Sequence, residues 1–241
     1  MSGFTDLHCH LLHGLDDGAK SLEESLEMAR ALVDLGFCAV AASPHARPEY
    51  APKELALTRL TEVRAALEAA GIELSLHENA ENYLLDERLL VDITGPASRK
   101  LGEGRYVLIE APYTAPVPAL TDLIFRLKLK GVTPLIAHPE RCLEFQRKGR
   151  AGEAVQAGAA LQLDVGALIG RYGPEAKRVA RALLDEGLYT VGATDLHGPI
   201  GAREWVGKSL EALRAQAGEQ AFLALMRDNP AKVLGGEALE S

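Results

Sequence analysis

The chain has 241 residues, 47% of them apolar, which is enough for one large folded domain and too apolar for a disordered chain. Its 26 basic and 34 acidic residues leave a formal charge of −8 with no basic run or stripe, which argues against a nucleic-acid partner. No apolar stretch is long enough to span a bilayer, MSGFTDLH lacks a charged-then-apolar leader, and the three scattered cysteines (Cys9, Cys38, Cys142) make neither a disulfide framework nor a Cys-x-x-Cys zinc pattern, so a cytoplasmic protein without membrane insertion is expected.

In chain order, FTDLHCH (4–10) reads as a first strand and SLEESLEMARALVDLG as the helix after it. CAVAAS (38–43) is a second strand, followed by the helical PKELALTRLTEVRAALEAAG, and ELSLHENAE (73–81) a third. YVLIEA (106–111) precedes the helix VPALTDLIFRLKLKG, and TPLIAH (133–138) precedes EAVQAG. ALQLDVG (160–166) leads to EAKRVARALLDEG, YTVGATD (189–195) is the seventh strand, and AREWVGKSLEALRAQ and EQAFLALMRD close the chain as helices. Several helices end in Gly, a common helix terminator. Strands and helices alternating this way, with buried-type runs such as VLIEA and PLIAH, imply an α/β fold with a parallel sheet and helices outside. A barrel and an open doubly wound sheet both fit, but no Gly-x-Gly-x-x-Gly follows the first strand, so a dinucleotide fold has no support. There is no repeat, linker or low-complexity segment, and 1–241 is read as a single domain.

The ionisable residues fall at one end of these strands. His8 and His10 end the first, one residue apart and therefore on one face, with Cys9 on the other. His45 follows the second, Glu81 ends the third, Glu110 the fourth and His138 the fifth, while Asp195 and His197 end the seventh. A single His after a strand is ordinarily a solvated or packed residue. Six strands out of seven delivering a His or carboxylate to the C-terminal end, where α/β folds build their sites, point to a metal centre. With Asp17 the set is five histidines and four carboxylates and no thiolate, which suits Mn²⁺, Fe²⁺, Co²⁺ or Zn²⁺. Nine donors exceed one ion's needs but serve two or three. Three divalent ions would outweigh four carboxylates by about two positive charges, which a phosphate dianion would balance.

These motifs, in this order, resemble the PHP superfamily (polymerase and histidinol phosphatase phosphoesterases), and within it the bacterial capsule-type metal-dependent protein-tyrosine phosphatases of the CpsB/YwqE type. DLHCHLLHGLDDGAKSLEESLEMA resembles the opening motif of that branch, SPHARPEY, NAENYL, YVLIEAPY, PLIAHPERC, LQLDVGALIGRYG and TDLH its later motifs, and NPAKVLGG its ending. The resemblance covers nearly the whole chain. It implies a distorted TIM-like (β/α)7 barrel and two or three divalent ions at its C-terminal mouth, Mn²⁺ first among them, with Fe, Co, Zn or Mg as alternatives. It also implies hydrolysis of phosphotyrosine through a metal-activated water. The implied substrate is a tyrosine-phosphorylated protein, a bacterial tyrosine autokinase of capsule or exopolysaccharide synthesis.

By the same resemblance, His8 and His10 bind a first metal with Glu110 and Asp195, and Glu110 bridges to a second held by His45 or His138. Asp17, with adjacent Asp16 as its alternative, completes the coordination together with Glu81 and His197. Arg141, in HPER, binds the phosphate or assists the leaving group, as a guanidinium suits phosphate oxygens, and Arg203 is a second candidate for that role. His13 stands where the branch usually has proline and reads as a solvent-facing loop residue, Asn79 replaces a glycine, and TDLH replaces Ser-Asp-Ala-His. His77 reads as a packed core histidine. A thiolate mechanism is excluded, because the positions six after Cys9, Cys38 and Cys142 hold Leu15, Pro44 and Lys148 and not the arginine of a Cys-x5-Arg loop. The alternatives are a small-molecule phosphomonoesterase of the histidinol-phosphatase kind, which DDGAKSLEES and HPERC disfavour, and a non-catalytic metal-binding regulator, which the complete ligand set disfavours.

Overall fold

A computed structural model describes residues 3–47, 50, 52–84, 93, 95, 98–102, 104–117 and 119–239. The ends of the expected 1–241 domain lie outside the described residues. Each strand pair is parallel and the strands form two sheets. One holds β1 (Phe4–Cys9), β2 (Phe37–Ala42) and β4 (Ser75–Glu78) in the order β1-β2-β4. The other runs β3-β5-β6-β7-β8-β9, with β3 His45–Ala46, β5 Glu81–Tyr83, β6 Tyr106–Glu110, β7 Thr133–Ala137, β8 Ala160–Asp164 and β9 Val191–Ala193.

Each of the seven expected strands is present, and two of them, β2 and β4, are followed directly by a further short strand, β3 and β5, making nine among the described residues. The stretch 73–81 is not one strand. It breaks after Glu78, where the Asn79 side-chain amide donates to Leu7 O at 2.9 Å and its backbone N–H to Ala42 O at 3.1 Å. Those bonds turn the chain from the first sheet into the second, so Glu81 opens β5. His45 likewise begins a short strand of its own. A parallel bridge between Cys9 and Leu196 ties β1 to the segment after β9 and so links the two sheets.

Both sheet faces are buried, as parallel strands covered by helices must be. Val107, Ile109, Ile136, Leu161 and Leu163 pack with the helices. Their alternates Tyr106, Leu108, Leu135 and Ala160 form a second cluster with Leu7, Ala41 and Val191, closed by Leu101 and Val233. The β1 helix α1 (Leu22–Asp34) starts at Ser21, whose hydroxyl accepts the Glu24 N–H at 3.3 Å, and it buries Ser25, Met28, Ala29 and Leu32 at helical spacing. In chain order the remaining α-helices among the described residues are α2 (Lys53–Ala69), α3 (Leu120–Leu129), α4 (Leu143–Gln146), α5 (Arg150–Gln156), α6 (Val165–Leu168), α7 (Gly173–Asp185), α8 (Ala202–Leu223) and α9 (Asn229–Leu234). The two closing helices expected from sequence are both present within the α8 span, separated at Gly218, whose φ 80° and ψ 164° are not helical.

Candidate metal centre

All nine candidate ligands come together. One side-chain donor from each of His10, Asp17, His45 and His197 lies within 4.8 Å of the others, as do those of His8, His138 and Asp195, of His8, His10 and Glu81, and of His45, Glu81 and Glu110. The groups share members, so they are neighbours in one cluster. Glu81 is the central carboxylate: its Oε1 is 2.9 Å from His138 Nε2 and 3.5 Å from His8 Nε2, and its Oε2 is 2.7 Å from His45 Nδ1 and 3.7 Å from His10 Nε2. Glu110 groups with His45, as expected of the second site, and with Glu81. It does not group with His8 and His10; its carboxylate pairs with the Arg47 guanidinium, which itself stacks on Tyr83.

Two candidate ligands hold strained backbone. His138 (φ 31°) and Asp195 (φ 50°) are the non-glycine residues with positive φ among those described. Such conformations cost on the order of 1 kcal/mol or more and persist where surrounding structure imposes them. Each sits one or two residues past a strand end.

The arrangement fits cations. His8 Nδ1 donates to Gln162 Oε1 at 2.9 Å, and His10 Nδ1 donates to Asp16 Oδ2 at 2.8 Å. These bonds place a proton on each Nδ1 and leave the two Nε2 atoms facing each other at 3.2 Å, a contact that holds one shared proton or a cation between them. Among the described residues, buried Asp195 Oδ1 and His138 Nδ1 have no hydrogen-bond partner, although Oδ1 has ring nitrogens of His8, His10 and His197 at 3.1, 3.5 and 3.7 Å. Burial opposes charging of His8, but Asp195 and Glu81 outweigh it and hold the imidazole at about 10. Burial also opposes charging of His45, and Asp17 and Glu81 bring it to about 10. The carboxylates thus attract positive charge strongly enough to protonate histidines, and a divalent ion would satisfy the same demand.

The choice between the adjacent aspartates is visible. Asp17 Oδ1 lies 3.3 Å from His45 Nε2 and 3.4 Å from His197 Nε2. Asp16 instead orients the ligands: besides His10 it accepts the backbone N–H groups of His45 and Gly18, each at 2.9 Å.

Arg141 stands beside the cluster, its Nη1 2.6 Å from Asp195 Oδ2 and 3.4 Å from Asp164 Oδ2, with its guanidinium 4.2 Å from the Tyr172 ring centroid and 4.9 Å from that of Tyr113. Arg203 is not brought there. It is exposed at the start of α8 and pairs with Asp34 at the end of α1 at 2.6 Å, which corrects its candidacy for the phosphate site. His13 is a loop residue 3.5 Å from Glu62, and His77 is half-buried on β4, apart from the cluster and less enclosed than a core residue. The Cys9 and Cys142 thiols are fully buried, and burial pushes both well above the ordinary thiol range, so neither is a nucleophile.

Sequence reasoning missed several residues. Asp164 ends β8 as the other acids end theirs, in LQLDVG, and the rule that found Glu110 finds it too. Gln162, two residues before it on the same inward alternation, carries the same signal. Asp6 does as well: it is buried two residues before His8 and accepts the Thr194 hydroxyl at 2.5 Å and the Thr194 and His8 N–H groups at 3.2 and 3.1 Å, tying β1 to the Asp195 turn. Arg47 had only its place in SPHARPEY to mark it.

Parallel strand ends converging on a His and carboxylate cluster define an α/β protein with side chains able to bind metal ions. Residues 4–235 match the family described as capsular polysaccharide synthesis, CpsB/CapC, and the chain belongs to that family. It is 32% identical over 203 residues to the tyrosine-protein phosphatase YwqE of Bacillus subtilis (strain 168), covering 80% of this chain and 76% of that one. It is 26% identical over 239 residues to the tyrosine-protein phosphatase CpsB of Streptococcus pneumoniae, covering 95% and 97%. A crystal structure from the work on YwqE and CpsB, described there as unique metal-dependent tyrosine phosphatases, superposes with a TM-score of 0.89 at 27% identity, covering 98% of this chain and 96% of the other.

Proposed function

We propose that this chain, as a single catalytic domain, is a metal-dependent phosphatase that removes phosphate from tyrosine in proteins. Its proposed substrate is a tyrosine autokinase of capsule or exopolysaccharide synthesis, encountered in the cytoplasm. The observation that carries this reading is the joined cluster of nine donors with Arg141 held at its edge. The names of its relatives support the substrate class.

His8, His10, Asp17, His45, Glu81, Glu110, His138, Asp195 and His197 would hold two or three divalent ions, Mn²⁺ first among them and Fe, Co, Zn or Mg as alternatives. Ions bound there supply an activated water and positive charge for the phosphoryl oxygens. The chain's residues do the positioning. Asp16 and Gln162 fix the ring tautomers so that the Nε2 atoms face inward. Arg141, clamped by two carboxylates and two aromatic rings, presents its remaining N–H groups to phosphate without losing side-chain entropy at the moment of binding.

The test is phosphate release from a phosphotyrosyl peptide by the purified chain, metal-stripped and then supplied with Mn²⁺. Restored release establishes the activity. Release from histidinol phosphate but not from the peptide would move the assignment to small phosphoesters. No release from either under any of the candidate ions would leave a metal-binding regulator.

A further inference from the structure

A cleft of about 510 Å³ opens beside the cluster. Arg141 and Asp195 line its buried side, and Lys20, Arg171 and Ile200 its exposed side. Lys20 and Arg171 make no side-chain ion pair among the described residues, although the chain as a whole is acidic. Of the acids on the same wall, Glu24 Oε2 accepts the Lys20 backbone N–H at 2.9 Å and pairs with no cationic side chain among the described residues, and Asp17 faces His45 and His197.

Arg171 is held in place. Its guanidinium lies 4.2 Å from the centroid of Trp205, a buried residue of α8, and its backbone N–H donates to Gly166 O at 3.2 Å. The next residue, Tyr172, stacks on Arg141. One turn of chain therefore sets both the inner arginine and the outer one, and their separation is built into the fold.

We propose that Lys20 and Arg171 form an anion subsite at the mouth of this cleft, which receives an acidic group carried by the substrate peptide next to its phosphotyrosine. The inference rests on the phosphotyrosine reading above and adds the substrate's flanking chemistry to it. Two exposed cations on a cleft wall lower the free energy of an anionic flank and leave a neutral one unaffected. The anion is a carboxylate or a second phosphoryl group, since either accepts from a guanidinium and an ammonium.

The experiment uses the full chain loaded with Mn²⁺ and three phosphotyrosyl peptides of equal length, with glutamine, glutamate or phosphoserine flanks. The readout is the ratio of kcat/KM between acidic and neutral peptides on one preparation, which a fall in the folded fraction does not change. The expected preference for an acidic flank is about five- to tenfold and resides in KM, as two partly exposed charge contacts allow. Arg171→Gln should reduce it, and Lys20→Glu with Arg171→Glu should abolish or invert it. A glutamate-only preference identifies a carboxylate as the ligand, and a phosphoserine-only preference a phosphoryl group. Equal rates on all three peptides, or a preference that survives the double charge reversal, overturns the subsite while leaving the phosphatase standing. No hydrolysis of any of the peptides overturns the phosphatase reading and the subsite with it.

Discussion

Replacing Arg141 with alanine separates phosphate binding from metal binding. The guanidinium is 19% exposed and 2.6 Å from Asp195, a candidate ligand, yet it cannot itself coordinate a cation. Removing it deletes a charge-assisted donor to phosphate in a mostly buried setting. Loss of one such donor typically costs about 10²–10³ in kcat/KM, roughly 3–4 kcal/mol of transition-state stabilisation. The effect on metal has the opposite sign. A cation next to Asp195 repels divalent ions and competes for that carboxylate, so Arg141→Ala should bind metal at least as tightly as the wild type. Arg141→Lys should recover little, because one ammonium cannot span Asp195, Asp164 and a phosphate oxygen together. The assay is phosphate release from a phosphotyrosyl peptide alongside metal content by elemental analysis. Loss of metal together with activity would show that Arg141 supports the ligand cage, and turnover within threefold of wild type would show that it does not touch the phosphate; either refutes the reasoning.

His8→Ala or Glu110→Ala should lower turnover by several orders of magnitude, since the cluster supplies both nucleophile and charge stabilisation; a variant with full activity removes that residue from the cluster. Asp16→Ala deletes no proposed ligand but frees His10 Nδ1 and the His45 N–H, so metal affinity by titration should fall about 10–100-fold, and unchanged affinity would deny its orienting role. Adding Mn²⁺ to the stripped chain should raise thermal stability, by about 2.7 kcal/mol at a hundredfold excess over Kd; a melting curve that ignores Mn²⁺ would mean that the cluster does not hold it. Arg203→Ala should leave turnover near wild type and stability within about 1 kcal/mol, because its partner Asp34 is a surface residue; a hundredfold loss of turnover would return Arg203 to the site.

The particular elements show why some features were legible in the sequence. His8 and His10 could be placed on one face because strand alternation is a property of the backbone alone, and their ring nitrogens do meet. Glu110 and His138 were marked by buried runs ending in a polar residue. The long strand 73–81 was misjudged because periodicity cannot see Asn79 donating to Leu7, a partner 72 residues away. Arg203 was misjudged because the helix AREWVGKSLEALRAQ, legible in the sequence, does not reveal that its first turn lies against the end of α1, where Asp34 takes the guanidinium.

The sequence by itself determined the alternation of strands and helices, the parallel sheet, and a set of nine donors without a thiolate, because these follow from local periodicity and side-chain chemistry. Only the tertiary structure decided that Glu81 rather than Glu110 lies at the centre, that Asp17 faces the cluster while Asp16 orients it, and that Asp164, Tyr113 and Tyr172 clamp Arg141. Those outcomes depend on distances between strands far apart in the chain, and such distances are set by how the two sheets meet and not by any local pattern.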